Sequence, residues 1–160
     1  MTCGYKGKVA CERDVRTGQR YCSFHTPQES TGRLQDEVLL NTLKELIDSG
    51  DGNWEGFIFP KDLDFEDLLA GTRFCTVPIN AEGAFFNGLT ISNITFEHHV
   101  NLQSSVFKGK TNFVGTEFLE SLSIYQSIFH AESKFSSLKI EKTFNANTCV
   151  FKSHFFLVVK

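Results

Sequence analysis

The sequence predicts an all-β solenoid over residues 56–160, preceded by a helix with its linker over 31–55 and a short cysteine-containing segment over 1–30. One observation is composition: 17 of the 160 residues are Phe, against 3 Tyr and 1 Trp. Another is that large apolar residues return at a fixed spacing, and a third is that charged residues avoid those positions. Such a bias toward one residue type indicates an internal repeat.

From Leu89 onward the chain divides into blocks of eleven residues. The third position of each block holds Ile91, Leu102, Phe113, Ile124, Phe135 and Ala146, and the eighth holds Phe96, Phe107, Phe118, Phe129, Ile140 and Phe151. Less regularly, the same frame runs backward through Phe85, Asn80, Phe74, Leu69, Leu63 and Ile58. Alternating steps of five and six fit neither the helical period nor the two-residue alternation of a strand. They fit a solenoid in which each step forms one side of a coil, and an irregular β-sandwich is the alternative.

The residue two before each of these apolar anchors faces the same way in an extended segment. Before the eighth position it is apolar or small: Ile94, Ser105, Thr116, Ser127, Leu138 and Cys149. Charged residues fall instead after the anchors, where a corner meets water, as in Lys108, Glu132 and Lys142. The pattern therefore predicts which side chains fill the interior, and it makes Cys149 a core residue. Cys75 comes directly after an anchor in this frame, a position from which its side chain could be exposed.

With this spacing the repeats resemble the pentapeptide-repeat family, in particular a bacterial variant that runs in steps of five and six with Phe at the central position. The resemblance covers residues 56–160 and implies a right-handed quadrilateral β-helix with two eleven-residue units per coil and four to five coils. The interior ladders it implies are Phe96–Phe118–Ile140, Phe85–Phe107–Phe129–Phe151 and Ile91–Phe113–Phe135. The family usually has Ala at the small inward position, where this chain has mostly Ser, Thr or an aliphatic residue. Because these side chains are larger than Ala, the resemblance does not fix how tightly the coil is wound.

The segment before the repeats predicts a helix over residues 33–49. Its apolar residues fall at helical spacing, Ser30 and Thr31 offer N-caps, and Gly50 offers a stop. The apolar positions are Val38, Leu39, Leu43, Leu46 and Ile47. The end of a solenoid exposes apolar interior and unpaired backbone, so this helix, together with Trp54, is expected to cap the first coil. A free helix that recruits a partner is the alternative.

Three cysteines and a histidine crowd into the first 25 residues. Cys3, Cys11, Cys22 and His25 form the pattern C-x7-C-x10-C-x2-H. Thiolates and an imidazole are the ligands of structural zinc, and four protein ligands close its coordination shell. A segment with so little apolar material needs such a staple. The sequence therefore predicts one structural zinc ion; a flexible tail with free thiols and a redox or catalytic role are the alternatives.

The last residues are apolar: Phe155, Phe156, Leu157 and Val158. Either this segment completes the last coil and buries itself against a second copy, or the chain is part of a longer protein. Members of the pentapeptide-repeat family often pair end to end, so the resemblance implies a homodimer through this coil.

Neither a phosphate-binding loop nor a catalytic triad signature is present in the sequence, which predicts a non-enzymatic interaction or scaffolding protein. Net charge is −3, divided as +2 over residues 1–32, −4 over 33–55 and −1 over 56–160. That balance argues against the DNA-mimic type of topoisomerase-protecting protein, whose surface must be acidic. It also argues against nucleic-acid binding through the zinc segment. The absence of a signal peptide or membrane span, with unpaired cysteines, predicts a cytoplasmic protein.

Overall fold

A computed structural model describes residues 3–5, 11, 22, 24–25 and 36–159. The helices are α1 (Asp36–Asp48) and α2 (Phe65–Leu68). The strands are β1 (Ile58–Asp64), β2 (Phe74–Cys75), β3 (Ile79–Asn80), β4 (Phe85–Ser92), β5 (Thr95–Phe96), β6 (Val100–Asn101), β7 (Val106–Phe107), β8 (Thr111–Val114), β9 (Glu117–Phe118), β10 (Leu122–Ser123), β11 (Ile128–Phe129), β12 (Ser133–Ile140), β13 (Phe144–Asn145), β14 (Val150–Phe151) and β15 (Phe155–Val159). Neither described helix is long and apolar enough to cross a membrane.

The strands stack in four parallel ladders, one for each side of a coil. The ladders are β1–β4–β7–β11–β14, β4–β8–β12–β15, β2–β5–β9–β12 and β3–β6–β10–β13. Strands β4 and β12 each turn a corner and belong to two ladders. The predicted all-β solenoid is therefore confirmed, with about four turns and four sides per coil.

Two of the predicted interior ladders are present as written, because residues 22 apart become neighbours on successive coils. Phe96, Phe118 and Ile140 lie in register, with the first two rings stacked 5.2 Å apart. Ile91, Phe113 and Phe135 form another ladder. The third ladder runs through Phe107, Phe129 and Phe151, whose rings stack 4.4 and 4.7 Å apart.

Toward the N-terminal end of the third ladder, the predicted inward residue is wrong by one position. Phe86, and not Phe85, is buried and stacks on Phe107 at 5.0 Å. Likewise Ala81 is buried in place of Asn80, Cys75 in place of Phe74, and Phe59 in place of Ile58. The reason is that residues from Phe74 to Phe86 pair with residues 21 positions later, whereas those from Leu89 onward pair with residues 22 positions later. An extra residue after Gly109 resets the register, and a one-residue shift exchanges the inward and outward faces.

Serine and threonine at the small inward positions bond to the previous coil. The hydroxyls of Ser105, Thr116 and Ser127 donate to the carbonyls of Ala81, Ile91 and Leu102 at 2.8, 3.0 and 2.8 Å. The Cys149 thiol, half-buried, donates to the Ile124 carbonyl at 2.7 Å in the same way. These side chains therefore tie adjacent coils together where alanine would only fill space.

One corner in each eleven-residue unit is left-handed. Residues with positive φ recur immediately before the small inward position: Gly83, Asn93, Ser104, Gly115, Gln126, Ser137 and Thr148. Their φ values lie between +53° and +67°. All seven are polar or glycine, and glycine and asparagine are the types that tolerate this conformation best. This backbone corner turns the chain between two sides of the coil.

Helix α1 buries most of its predicted apolar face, although Val38 is 46% exposed. Leu39, Leu43 and Ile47 are buried and belong to the same core as the solenoid. The helix ends as predicted at Gly50, whose φ is +80° and whose N–H donates to the Ile47 carbonyl at 2.9 Å. The predicted N-caps Ser30 and Thr31 lie outside the described residues. The capping role of the helix stays a prediction.

Candidate metal centre

Cys3, Cys11, Cys22 and His25 converge on one point. Their ligand atoms all lie within 4.8 Å of one another, and all four side chains are buried. The His25 Nδ1 atom lies 3.4 Å from the Cys3 Sγ and 3.3 Å from the Cys22 Sγ, and the Cys11 and Cys22 sulfurs are 3.8 Å apart. No disulfide joins any of these thiols.

These separations match a tetrahedral coordination shell. Metal–sulfur distances of about 2.3 Å and a metal–nitrogen distance of about 2.0 Å place two sulfurs about 3.8 Å apart, and a sulfur and a nitrogen about 3.6 Å apart. A disulfide would instead bring two sulfurs to about 2.05 Å. The four residues can therefore bind a metal ion, as the sequence predicts.

A tight turn brings Cys22 and His25 together. The backbone N–H of His25 donates to the Cys22 carbonyl at 3.0 Å, and this hydrogen bond closes the turn between the two ligands. The Cys22 N–H in turn donates to the Cys3 sulfur at 3.1 Å. Backbone donors to sulfur favour the thiolate form that a metal requires.

Neighbouring groups fix the orientation of the His25 ring. The Nε2 atom lies 2.8 Å from the Glu55 carbonyl oxygen, which can only accept, so Nε2 carries the hydrogen and Nδ1 keeps its lone pair toward the sulfurs. Tyr5 stacks on one face of the imidazole, with ring centres 3.9 Å apart and an angle of 4° between the ring planes. Phe57 meets the ring edge-on at 5.3 Å.

The metal centre is seated on the first coil. The Ile58 N–H donates to the Phe24 carbonyl at 2.8 Å, and the Phe24 and Phe57 rings stack at 4.2 Å. Gly56 has a φ of +65°, and a Cβ there would lie 2.2 Å from the Tyr5 ring. This glycine therefore provides both the turn and the space that the seat requires.

Burial makes ionisation of the Cys22 thiol dependent on a cation. Burial, the largest influence, raises the pKa of the Cys22 thiol to about 12, and the N–H groups of His25 and Phe24 offset only part of that rise. Burial also raises the pKa of the Tyr5 hydroxyl, with the Glu55 and Glu82 carboxylates adding to it. At neutral pH Cys22 is ionised only if a bound cation compensates for the desolvation.

The structure thus brings together all four predicted ligands. The remaining histidines, His98, His99, His130 and His154, are exposed and lie outside this cluster. Cys75 is fully buried as an interior anchor. The expectation that this thiol could be exposed is therefore wrong. Tyr5, Glu55 and Gly56 were missed, and the one sequence signal for them is a glycine directly before the first Phe of the repeats.

The molecule is thus a β-solenoid that carries a Cys3His cluster able to hold a metal ion. No protein-family model, curated protein or solved structure matches this chain.

Proposed function

We propose that this protein is a non-enzymatic interaction module, a pentapeptide-repeat β-helix whose N-terminal segment is held by one structural zinc ion. The observation that carries the proposal is the seating of Cys3, Cys11, Cys22 and His25 on the first coil. All four ligands come from the protein, so the shell has no open position for water or a substrate. A closed and buried metal site stabilises structure.

Zinc is the ion that fits this donor set. Three thiolates with one imidazole in a tetrahedron are typical of structural zinc sites, whereas oxygen-binding cations such as calcium and magnesium avoid such ligands. Keeping three thiols reduced requires a reducing compartment, which supports a cytoplasmic location.

The assignment to the pentapeptide-repeat type rests on the geometry of the coil. Supporting features are four short strands per coil, anchors at steps of five and six, and stacked Phe rings along the interior. One left-handed corner in each eleven-residue unit adds to them.

A non-enzymatic role is supported by what the side chains of the repeats do. The interior is filled by apolar ladders, which leaves no room for a substrate. Shifted pKa values outside the metal segment have structural causes: Lys142 lowers the pKa of the Glu120 carboxyl, and Glu117 and Glu141 raise that of Lys139. Lys139 is exposed and Glu120 is half-buried, and both belong to ion pairs, a common feature of protein surfaces.

The two ends of the solenoid differ in exposure, and this supports separate roles for them. Helix α1 lies in the core at the N-terminal end, which fits a cap. Strand β15 leaves four apolar side chains exposed: Phe155, Phe156, Leu157 and Val158. A homodimer through this coil would bury them, and sedimentation of the full chain tests that arrangement.

Elemental analysis of protein purified without added zinc tests the metal assignment. We expect one zinc per chain in the wild type and in Cys149→Ser, and none in Cys22→Ser. Cys149→Ser is the matched control because it removes a thiol outside the centre. Absence of metal from the wild type would contradict the structural zinc.

Chemical crosslinking in the cells that express the protein tests the interaction role. A complex of defined composition is the expected product. Recovery of the chain alone under conditions that crosslink other known complexes would contradict an interaction module.

A further inference from the structure

One face of the solenoid carries an apolar row that the interior does not require. The row consists of outward residues directly before the inward anchors of the β1–β4–β7–β11–β14 ladder: Ile58, Phe85, Val106, Ile128 and Val150. They are in register on successive coils. The first four are half-buried and Val150 is 47% exposed. Rungs about 4.8 Å apart shield each other's flanks, so the outer surface of this row is what faces solvent.

The other three sides do not repeat this pattern. Their equivalent outward positions hold Thr90, Asn112, Lys134 and Phe156 on one side, Phe74, Thr95, Glu117 and Lys139 on the next, and Asn80, Asn101, Ser123 and Asn145 on the last. Each of these sides is polar over most of its length. Outward apolar side chains are therefore not a general need of the coil.

A basic row runs beside the apolar one, directly after the same anchors. It consists of Lys108, His130 and Lys152, all exposed and stacked at 22-residue intervals. Within the part of the chain that the structure describes, no ion pair joins any of the three to an acid. On the β2–β5–β9–β12 side, by contrast, Lys139 on one coil pairs with Glu117 on the coil before. Lys108 and Lys152 lie two rungs apart with His130 between them, so no acidic side chain separates the two lysines along this row.

From these two rows we infer that this face is the docking surface for an acidic, amphipathic segment of a protein partner. Apolar side chains of that segment pack on Val106 and Ile128, and its carboxylates meet Lys108 and Lys152. Five rungs cover about 19 Å, close to the length of three to four helical turns or of six extended residues. The inference rests on the proposed interaction function and adds the surface and the chemistry of the partner.

The charge of the chain favours a protein segment over a membrane or nucleic acid. Net charge is −3, and only Lys108 and Lys152 in the basic row are permanently cationic. Anionic lipid surfaces and nucleic acids are bound through clusters of four or more basic residues, often with high overall positive charge. Two lysines flanking an apolar row instead fit a partner that supplies a few carboxylates and a larger apolar contact.

Selection of random 16-residue peptides on the immobilised full-length protein, followed by affinity measurement, tests the inference. The peptides that bind are expected to combine Leu, Ile or Phe with Asp or Glu. Their affinity should fall at least tenfold for the Val106→Thr/Ile128→Thr double variant and for Lys108→Glu/Lys152→Glu. Val114→Thr and Lys134→Glu make the same changes on another side and should leave the affinity unchanged.

Unchanged affinity in both double variants would overturn the inference. Stronger binding to phosphatidylserine vesicles than to any peptide, lost in the same variants, would overturn it in favour of a membrane. A self-association lost in the Val106→Thr/Ile128→Thr variant would overturn it in favour of a second copy. Circular dichroism checks that each variant folds, and the lysine variant carries the test if the threonine variant does not. If the crosslinked cellular complex persists in these variants, this face is excluded while the interaction module stands.

Discussion

The repeats and the described residues of the N-terminal segment are held in place by different means. In the repeats each coil is the template for the next, so that Phe129 stacks on Phe107 below it and on Phe151 above it. Each buried Phe contributes about 1.5–3 kcal/mol, and the stabilisation is spread along the column. In the N-terminal segment, the described residues meet at one Cys3His cluster, and the zinc ion proposed there would contribute on the order of 10–16 kcal/mol at a single point. The first region is therefore redundant and the second has one critical site.

The largest effect is expected from a charge in the column. Phe118 is fully buried between Phe96 and Ile140, so Phe118→Asp leaves an unpaired carboxylate in the interior at a cost of several kcal/mol. Against a total stability of about 5–15 kcal/mol, we expect an unfolded chain by circular dichroism. Phe74→Asp is the control, because Phe74 is 60% exposed and outside the column. A cooperative thermal transition in Phe118→Asp would contradict its inward placement.

Metal removal separates the two regions more sharply. The Ile58 N–H donates to Phe24 in the metal segment, whereas the Ile128 N–H donates to Ser105 within the repeats at 2.9 Å. We expect a chelator to speed hydrogen exchange at Ile58 about tenfold or more and to leave Ile128 protected, because only the first acceptor depends on the ion. Equal loss of protection at both amides would mean that the metal holds the whole fold.

A smaller effect is expected at the seat of the metal centre. Gly56→Ala and Gly83→Ala both place alanine at positive φ, +65° and +67°, each at a cost of about 1 kcal/mol. Only at Gly56 does the added methyl meet Tyr5. We therefore expect a lower zinc affinity in Gly56→Ala alone, and with it a larger fall in melting temperature than in Gly83→Ala. Competition titration with a chelator measures that difference, and equal affinities would show that Tyr5 moves aside freely.

The smallest pair of changes compares two buried threonines of the repeats. The Thr116 hydroxyl bonds the previous coil, whereas the Thr111 hydroxyl has no partner among the described residues. We expect Thr116→Val to destabilise the fold by about 1–2 kcal/mol and Thr111→Val to be neutral or stabilising by up to about 1 kcal/mol. Urea denaturation measures both. A loss of equal size in the two variants would mean that the coil-to-coil hydrogen bond contributes nothing specific.

The sequence predicted the regular part of the fold well because each position of the repeat recurs in several coils with the same type of residue. Phe107, Phe118 and Phe129 confirm one another at fixed intervals. At the start of the solenoid the repeat is less regular. Phe85 and Phe86 are both Phe, so composition could not say which one points inward. The deciding feature is one extra residue beyond Gly109, which changes the coil from 21 to 22 residues. A backbone insertion of this kind leaves no trace in hydrophobicity.

The metal ligands could be predicted for a different reason, the chemistry of the residue types. Thiols and an imidazole at short spacing indicate a metal whatever the fold around them. Their seat could not be predicted, because it depends on the Glu55 carbonyl, and every residue has a carbonyl. Likewise the hydroxyl bonds of Ser105 and Ser127 depend on which carbonyl the previous coil presents. Side-chain types predict sites, while backbone partners need coordinates.

Parallel stacking of the coils also makes the reach of this molecule adjustable in steps. Inserting or deleting one 22-residue coil would change the separation between the metal-bearing end and strand β15 by about 4.8 Å, and both ends would keep their local surroundings. Tandem duplication of a short stretch of the gene produces such a change in one event. The distance between the two ends of such a solenoid can therefore change without altering the residues at either end.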